Sequence, residues 1–219
     1  MRHPASPPPA TSLSPTPDLR RRRKDARPAE LAAAALRLFV DKGYTATRLD
    51  DVAAAAGVSK GTLYLYYPGK EALFRAVIEE GMVAALSLAE HEVAAFRGST
   101  ADLLHALLIG WWERIGGTPL AGVTKLIISE SRNFPEVAQY YREQVLDRGR
   151  ALVRATIARG IAEGEFRPLD VDAAVDIVIA PLLLLAVSRF SLPLATGSIA
   201  PEAYLETHFE LLVNGLKRS

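Results

Sequence analysis

The sequence predicts an all-α protein, and three observations carry that prediction. Ala and Leu dominate a composition that is 49% hydrophobic and only 7% aromatic, and these side chains lose little freedom on a helix. Apolar positions recur at helical spacing in segment after segment, with Gly and Pro mostly at the breaks between them. No run of alternating β-branched residues lies between turn signals, so no sheet is expected. At 219 residues the chain is long enough to bury a substantial core, in one domain or two small ones.

Residues 1 to about 19 are rich in Pro, Ser and Thr. They hold too little apolar surface to offset the entropy of ordering, which predicts a disordered tail. The basic run Arg20 to Lys24 has two readings, a solvated linker or an arm that follows phosphates or enters a minor groove. Pro28 suits the first position of a helix, where its missing N–H costs nothing. Leu31, Ala35, Leu38 and Phe39 give that helix one apolar stripe, and Gly43 ends it in left-handed conformation. A short second helix is expected from Thr47, as the cap, with Leu49, Val52, Ala53 and Ala56 inward and Asp50 completing a variant capping box. Gly57 interrupts, and Ser59 caps a third helix. Leu63 and Tyr67 form its buried face, while Lys60, Thr62, Tyr64 and Tyr66 point elsewhere. Pro68-Gly69 breaks the third helix. Further helices are expected near 70–96, 100–116, 119–131, 135–163, 171–190 and 201–216.

The net charge of +1 hides an asymmetry. Residues 1–75 hold 13 Lys and Arg against 7 Asp and Glu, and the remainder holds 13 against 18. A basic first third on an acidic remainder predicts a polyanionic partner for the first part alone. The absence of Cys excludes disulfides, thiolate metal ligands and a cysteine nucleophile, and fits a reducing cytoplasm. The longest apolar stretch, Asp176 to Arg189, falls short of the ~20 residues of a membrane span. The N-terminus shows no apolar core of a signal peptide, so a cytoplasmic protein without a membrane partner is expected. His3, His91, His105 and His208 are scattered, with no carboxylate at metal-ligand spacing. No Ser sits in a nucleophile elbow and no Gly-rich loop follows a strand. Neither catalysis, nor a metal, nor a cofactor is predicted.

Short helix, Gly-containing turn and second short helix form the helix-turn-helix plan. Ala53 and Gly57 are small where the two helices are expected to come closest, and Val58 and Leu63 pin the second on the first. The second helix then turns a polar face outward, of a width that fits a major groove. The segment Gly43-Tyr44 through Thr47, Val52-Ala53, Ala56-Gly57-Val58-Ser59-Lys60-Gly61-Thr62-Leu63-Tyr64, Tyr66-Tyr67 and Lys70-Glu71-Ala72-Leu73 resembles the DNA-binding signature of the TetR family. It departs in closing the recognition helix with Tyr66-Tyr67, where His-Phe is frequent, and in its Pro68-Gly69 connector. The resemblance implies a DNA-binding unit at 26–72, after a tail and arm at 1–25, and a helical ligand-binding and dimerisation part at 73–219. It also implies that Lys60, Gly61, Thr62 and Tyr64 enter the groove while Thr47, Ser59, Tyr66 and Lys70 lie near phosphates. Chemistry agrees for several of these. Gly61 permits close backbone approach, and Thr62 and Tyr64 offer hydroxyls and apolar contact to thymine methyls. A lysine at a helix start opposes the helix dipole and so favours an anionic partner.

The C-terminal part carries no comparable motif. Leu103 to Ile115 is apolar on nearly every face, so it is either a central core helix surrounded by protein or the lining of a pocket. Trp111 and Trp112 point about 100° apart, so only one of them can face a cavity. Pockets for small molecules are mostly apolar with few polar groups. Leu108, Trp111 and Trp112, with His105, Glu130, Tyr140, Tyr141 and Gln144, are the candidate lining for a small apolar effector. The helices near 171–190 and 201–216 carry more apolar surface than one core needs. In the family such helices form a two-fold homodimer interface, which would present two recognition helices to a palindromic double-stranded DNA operator. The rival reading is a helical carrier of a lipid or other hydrophobic molecule, which leaves Ser59 to Tyr67 unexplained.

Overall fold

The computed structural model describes residues 17–191 and 200–217, and among these it contains nine helices and no strand. They are α1 (Pro17–Lys42), α2 (Leu49–Ala55), α3 (Lys60–Tyr66), α4, α5, α6 (Ala121–Glu130), α7, α8 (Val171–Ser191) and α9 (Pro201–Leu216). Three of them contain a π turn, which periodicity did not predict. Helix α4 runs Lys70–Val77, then Ile78–Val83 as π turn, then Ala84–Ala95. Helix α5 runs Thr100–Trp111 into the π turn Trp112–Gly116. Helix α7 joins Pro135–Tyr141 to Asp147–Ala162 through the π turn Arg142–Leu146.

From α4 onward the expected helices agree with these to within two residues at each end. The N-terminus differs. Helix α1 begins at Pro17, so Pro28 lies inside it and not at its start. Residues 18–27 contain no Gly and no β-branched residue, and Arg and Lys are good helix formers. The basic run Arg20 to Lys24 therefore lies on helical backbone, and residues 1–16 of the expected tail fall outside the described residues. Gly43, at φ 85°, ends α1 as predicted.

Two hydrophobic cores organise the bundle. The first joins Leu31 and Phe39 of α1, Val52 of α2, Leu63 of α3 and Leu73, Phe74 and Val77 of α4 to Val123 of α6 and Val137 of α7. It runs straight across the boundary expected at residues 72–73. Phe39, Tyr44 and Phe74 stack with centroids 5.1–5.2 Å apart, and Phe134 lies 4.5 Å from Tyr44. Gly122 lets α6 close on α1, since a Cβ there would lie 2.6 Å from Val40. The second core gathers Leu104, Leu108 and Trp112 of α5, Ile157 of α7, Phe166 between α7 and α8, Val175 and Val178 of α8, and Leu205 and Leu216 of α9.

By length and composition, Val171–Ser188 of α8 is apolar enough to cross a membrane, with mean hydropathy 2.2. This corrects the expectation that no segment reaches that length. Its two carboxylates, Asp172 and Asp176, pair with Arg154 and Arg150 of α7, and Val175, Val178, Leu182 and Ala186 are buried. The helix belongs to the bundle.

Candidate nucleic-acid interface and interior cavity

Helices α2 and α3 are joined by a tight turn in which the Val58 N–H donates to the Ala53 carbonyl at 2.9 Å. Gly57 adopts φ 65°, and a Cβ there would meet nothing within 4 Å. The glycine is required by the left-handed backbone of the turn and not by close helix approach, which falls to buried Ala53. Ser59 caps α3 as expected, accepting from the Thr62 N–H at 3.1 Å, with the two hydroxyls 2.9 Å apart. Leu63 is fully buried and Tyr67 nearly so. The Tyr67 hydroxyl donates to the Pro28 carbonyl at 3.2 Å, which ties the end of α3 to α1.

With Leu63 and Tyr67 inward, the opposite face of α3 meets solvent. Lys60, Gly61 and Tyr64 are exposed, Thr62 and Tyr66 are half-buried, and Tyr66 packs against the first core. Leu65 is 84% exposed, and sequence reading missed it because a leucine is by habit assigned inward. The signal was present: two residues past Leu63 is about 200° around the helix. Lys60 pairs with Asp50 at 2.9 Å and lies 6.0 Å from the Tyr64 ring centroid. The Asp50 hydrogen bond and charge raise the Lys60 pKa, while the charge of nearby Arg48 opposes the shift. Arg48, also not singled out beforehand, is exposed at the N-cap position of α2.

Two residues expected at phosphates turn inward instead. Thr47 is 2% exposed, and its hydroxyl reaches the Gly43 carbonyl at 2.7 Å and the Leu38 carbonyl at 3.1 Å. It therefore clasps the end of α1, and α2 starts after Arg48 with no side-chain cap. Lys70 donates to the carbonyls of Tyr44, Thr45 and Thr47 at 2.9, 3.1 and 3.2 Å. Those three bonds saturate its ammonium. Burial holds its pKa below the ordinary lysine value, with the Glu130 carboxylate opposing. Lys70 thus straps α4 to the α1–α2 turn.

At the seam of the two cores lies a cavity of about 220 Å³. Helices α4 to α8 all contribute to its wall, and each π turn supplies part of it: Met82, Arg114 with Ile115, and Val145 with Leu146. Of the predicted lining, Leu108, Trp111 and Tyr141 are present. The two Trp residues diverge as their spacing requires, since Trp112 is buried in the second core. The other candidates are held elsewhere. His105 lies 3.0 Å from Glu206 and stacks on Phe209, while Glu130 accepts from Thr45 and Asn133. Tyr140 donates to Glu79, and Gln144 lies off the wall. Sequence reading missed the polar wall residues Thr124, Arg114 and Arg150. Thr124 is 2.9 Å from the Tyr141 hydroxyl, and Arg114 is bonded to Glu92 at 2.9 and 3.3 Å.

A Ser-capped helix standing off a Gly turn, ahead of a helical part with an interior cavity, defines the class of helix-turn-helix transcriptional regulators. The chain belongs to the TetR family. Residues 31–77 match the bacterial regulatory proteins of the tetR family, and residues 96–213 match the tetracyclin repressor-like C-terminal domain. An uncharacterized HTH-type transcriptional regulator of Bacillus subtilis, YfiR, is 30% identical over 159 residues, 71% of this chain and 75% of that protein. The HTH-type transcriptional regulator EthR of Mycolicibacterium smegmatis is 25% identical over 195 residues, 88% and 87% of the two chains. Among solved structures, the transcriptional regulator FadR from Bacillus subtilis in complex with stearoyl-CoA is similar at TM-score 0.73 and 23% identity. That likeness covers 86% of this chain and 98% of FadR.

Proposed function

We propose that the protein is a homodimeric, ligand-responsive repressor that places α3 of each subunit in the major groove of a palindromic operator. The observation that carries this reading is the outer face of α3, where Lys60, Gly61, Thr62, Tyr64 and Leu65 share one solvent-facing surface around the Ser59 cap. Thr62 and Tyr64 supply hydroxyls for base edges, Leu65 apolar contact for a thymine methyl, and Arg48, Ser59 and Tyr66 the phosphate contacts. Residues 26–72 act as the DNA-reading unit and 73–219 as the effector and dimerisation part, coupled through their shared core.

The dimer reading is supported by Ile177, Leu184 and Leu211, which are 61%, 58% and 70% exposed on α8 and α9. Leu205 and Phe209 of α9 pack instead within the chain's own second core. An apolar effector is the reading of the cavity, and the stearoyl-CoA named with FadR supports a hydrophobic molecule as its occupant. Binding there lowers operator affinity to the extent that it favours a conformation with mismatched recognition helices.

Gel-shift titration of operator DNA, located by footprinting around the protein's own gene, tests the reading. Tyr64→Ala and Leu65→Ala are expected to weaken specific binding by about 1–3 kcal/mol each. Unchanged affinity in both variants rejects α3 as the reading helix. Ile177→Asp with Leu184→Asp is expected to give folded monomers that lose tight operator binding. A wild-type monomer in sedimentation at micromolar concentration removes the dimer.

A further inference from the structure

The cavity wall is apolar except at four residues, and their bonding narrows what the cavity can hold. Thr124 and Tyr141 are 5% and 3% exposed, with hydroxyl oxygens 2.9 Å apart. Each hydroxyl brings one hydrogen and two lone pairs. Their mutual bond uses one hydrogen, and the other has no acceptor among the described residues. A buried donor left unmet is unfavourable, and a ligand oxygen would meet it. Burial pushes the Tyr141 phenol up to about 12 with only the Thr124 bond opposing, so it stays protonated and able to donate at neutral pH.

The two cations on the wall are already neutralised. Arg114 holds Glu92 through two bonds, and Arg150 holds Asp176. A carboxylate drawn to the hydroxyl pair would lose its hydration and find no unpaired cation in return, which is costly. A ketone, ester or alcohol oxygen meets the spare hydrogen without that penalty.

We propose that the cavity selects an uncharged, mainly apolar molecule whose single carbonyl or hydroxyl oxygen is bound by the Thr124–Tyr141 pair; this rests on the effector reading above. Tyr141 ends the first segment of α7, just before the π turn Arg142–Leu146. Its neighbour Tyr140 grips Glu79 in the π turn of α4. An oxygen that pulls on Tyr141 therefore acts on both π turns, and α4 begins beside α3.

The test uses the full chain and follows Trp fluorescence, because Trp111 lines the cavity. The probes are a medium-chain methyl ketone, the alkane of equal carbon count and the matching carboxylate. Wild type is expected to bind the ketone about tenfold more tightly than either of the others. In the double variant Thr124→Val/Tyr141→Phe, which removes both hydroxyls, the ketone-to-alkane ratio is expected to fall to near one, with alkane affinity and thermal midpoint little changed. Tightest binding of the carboxylate, or a ratio that survives in the double variant, overturns the assignment. If no probe binds, the cavity is no ligand site and the effector reading fails with it. Ketone preference without loss of operator affinity upholds the assignment and rejects only the effector reading.

Discussion

Helix α3 and the cavity are both built for contact, yet they differ in how their residues are spread along the chain. The exposed face of α3 comes from one continuous run, Ser59 to Tyr66, fixed by a cap, a Gly turn and the Leu63 anchor. The cavity draws on five helices between Met82 and Leu183. The first is local geometry, while the second exists only where two cores fail to close on each other. That contrast leaves the α3 anchor closely packed and the cavity wall bordering space.

The comparison breaks most directly at its two leucines. Leu63→Ala empties a fully buried site and is expected to cost about 2–5 kcal/mol of stability. Leu152→Ala, on a wall that already borders space, is expected to cost about 1 kcal/mol. Urea denaturation of the two variants in parallel checks this, and the reverse order would contradict the packing contrast. Next in size is Lys70→Met. Loss of its three carbonyl bonds is expected to lower stability by about 1–3 kcal/mol and to leave the salt dependence of DNA binding unchanged. A stable variant whose salt slope drops by about one unit would restore Lys70 to the phosphates. Ser59→Ala is smaller again, about 1 kcal/mol, from the lost cap on Thr62. It is expected to appear in the denaturation midpoint without a change in slope.

The smallest effect sharpens the cavity side. Glu90 of α4 is bonded to Arg148 of α7 at 2.7 Å, and the guanidinium holds its carboxyl below the ordinary range. A carboxylate with a depressed folded pKa adds stability above its unfolded value and loses it as pH falls through the folded one. Glu90→Gln should therefore lower stability at neutral pH and flatten the acid limb, the two proteins converging as pH falls through the folded pKa. The pair is partly exposed, so the difference should stay below about 1 kcal/mol. Thermal melts of both proteins from neutral pH down through that acid range check it.

How far the sequence could be read follows the same contrast. Ser59 and Gly57 announce α3 because cap and turn chemistry act over three or four residues. Leu63 and Tyr67 then set which face is inward. Thr47 and Lys70 are of types that suit a phosphate and a backbone carbonyl equally well, and in this fold both bond carbonyls. Only the approach of the α1–α2 turn to α4 gives them carbonyls to bind. Pro28 misled in the opposite way: its preference for a first turn was overridden by a helix-favouring run ahead of it. On the cavity side, helical phase separates the two Trp residues without saying which one lines the wall, and Tyr141 is one of five polar candidates; Leu108, Trp111 and Tyr141 are the ones on it. His105, Trp112 and Tyr140 have the same kinds of side chain but found partners from distant segments: Glu206, the second core and Glu79.

The sequence by itself determined the helices from Lys70 to Leu216, the Ser59-capped helix α3 and the family to which the chain belongs. Each depends on periodicity or on neighbours a few residues apart, where backbone geometry leaves little choice. Tertiary structure alone decided that one core spans the DNA-binding and C-terminal parts, and that Lys70 is a strap. It also decided that Leu205 faces inward while Leu211 faces out, and that Thr124 meets Tyr141 inside the cavity. Those outcomes depend on which helix faces come together, and nothing within a single segment specifies its partner.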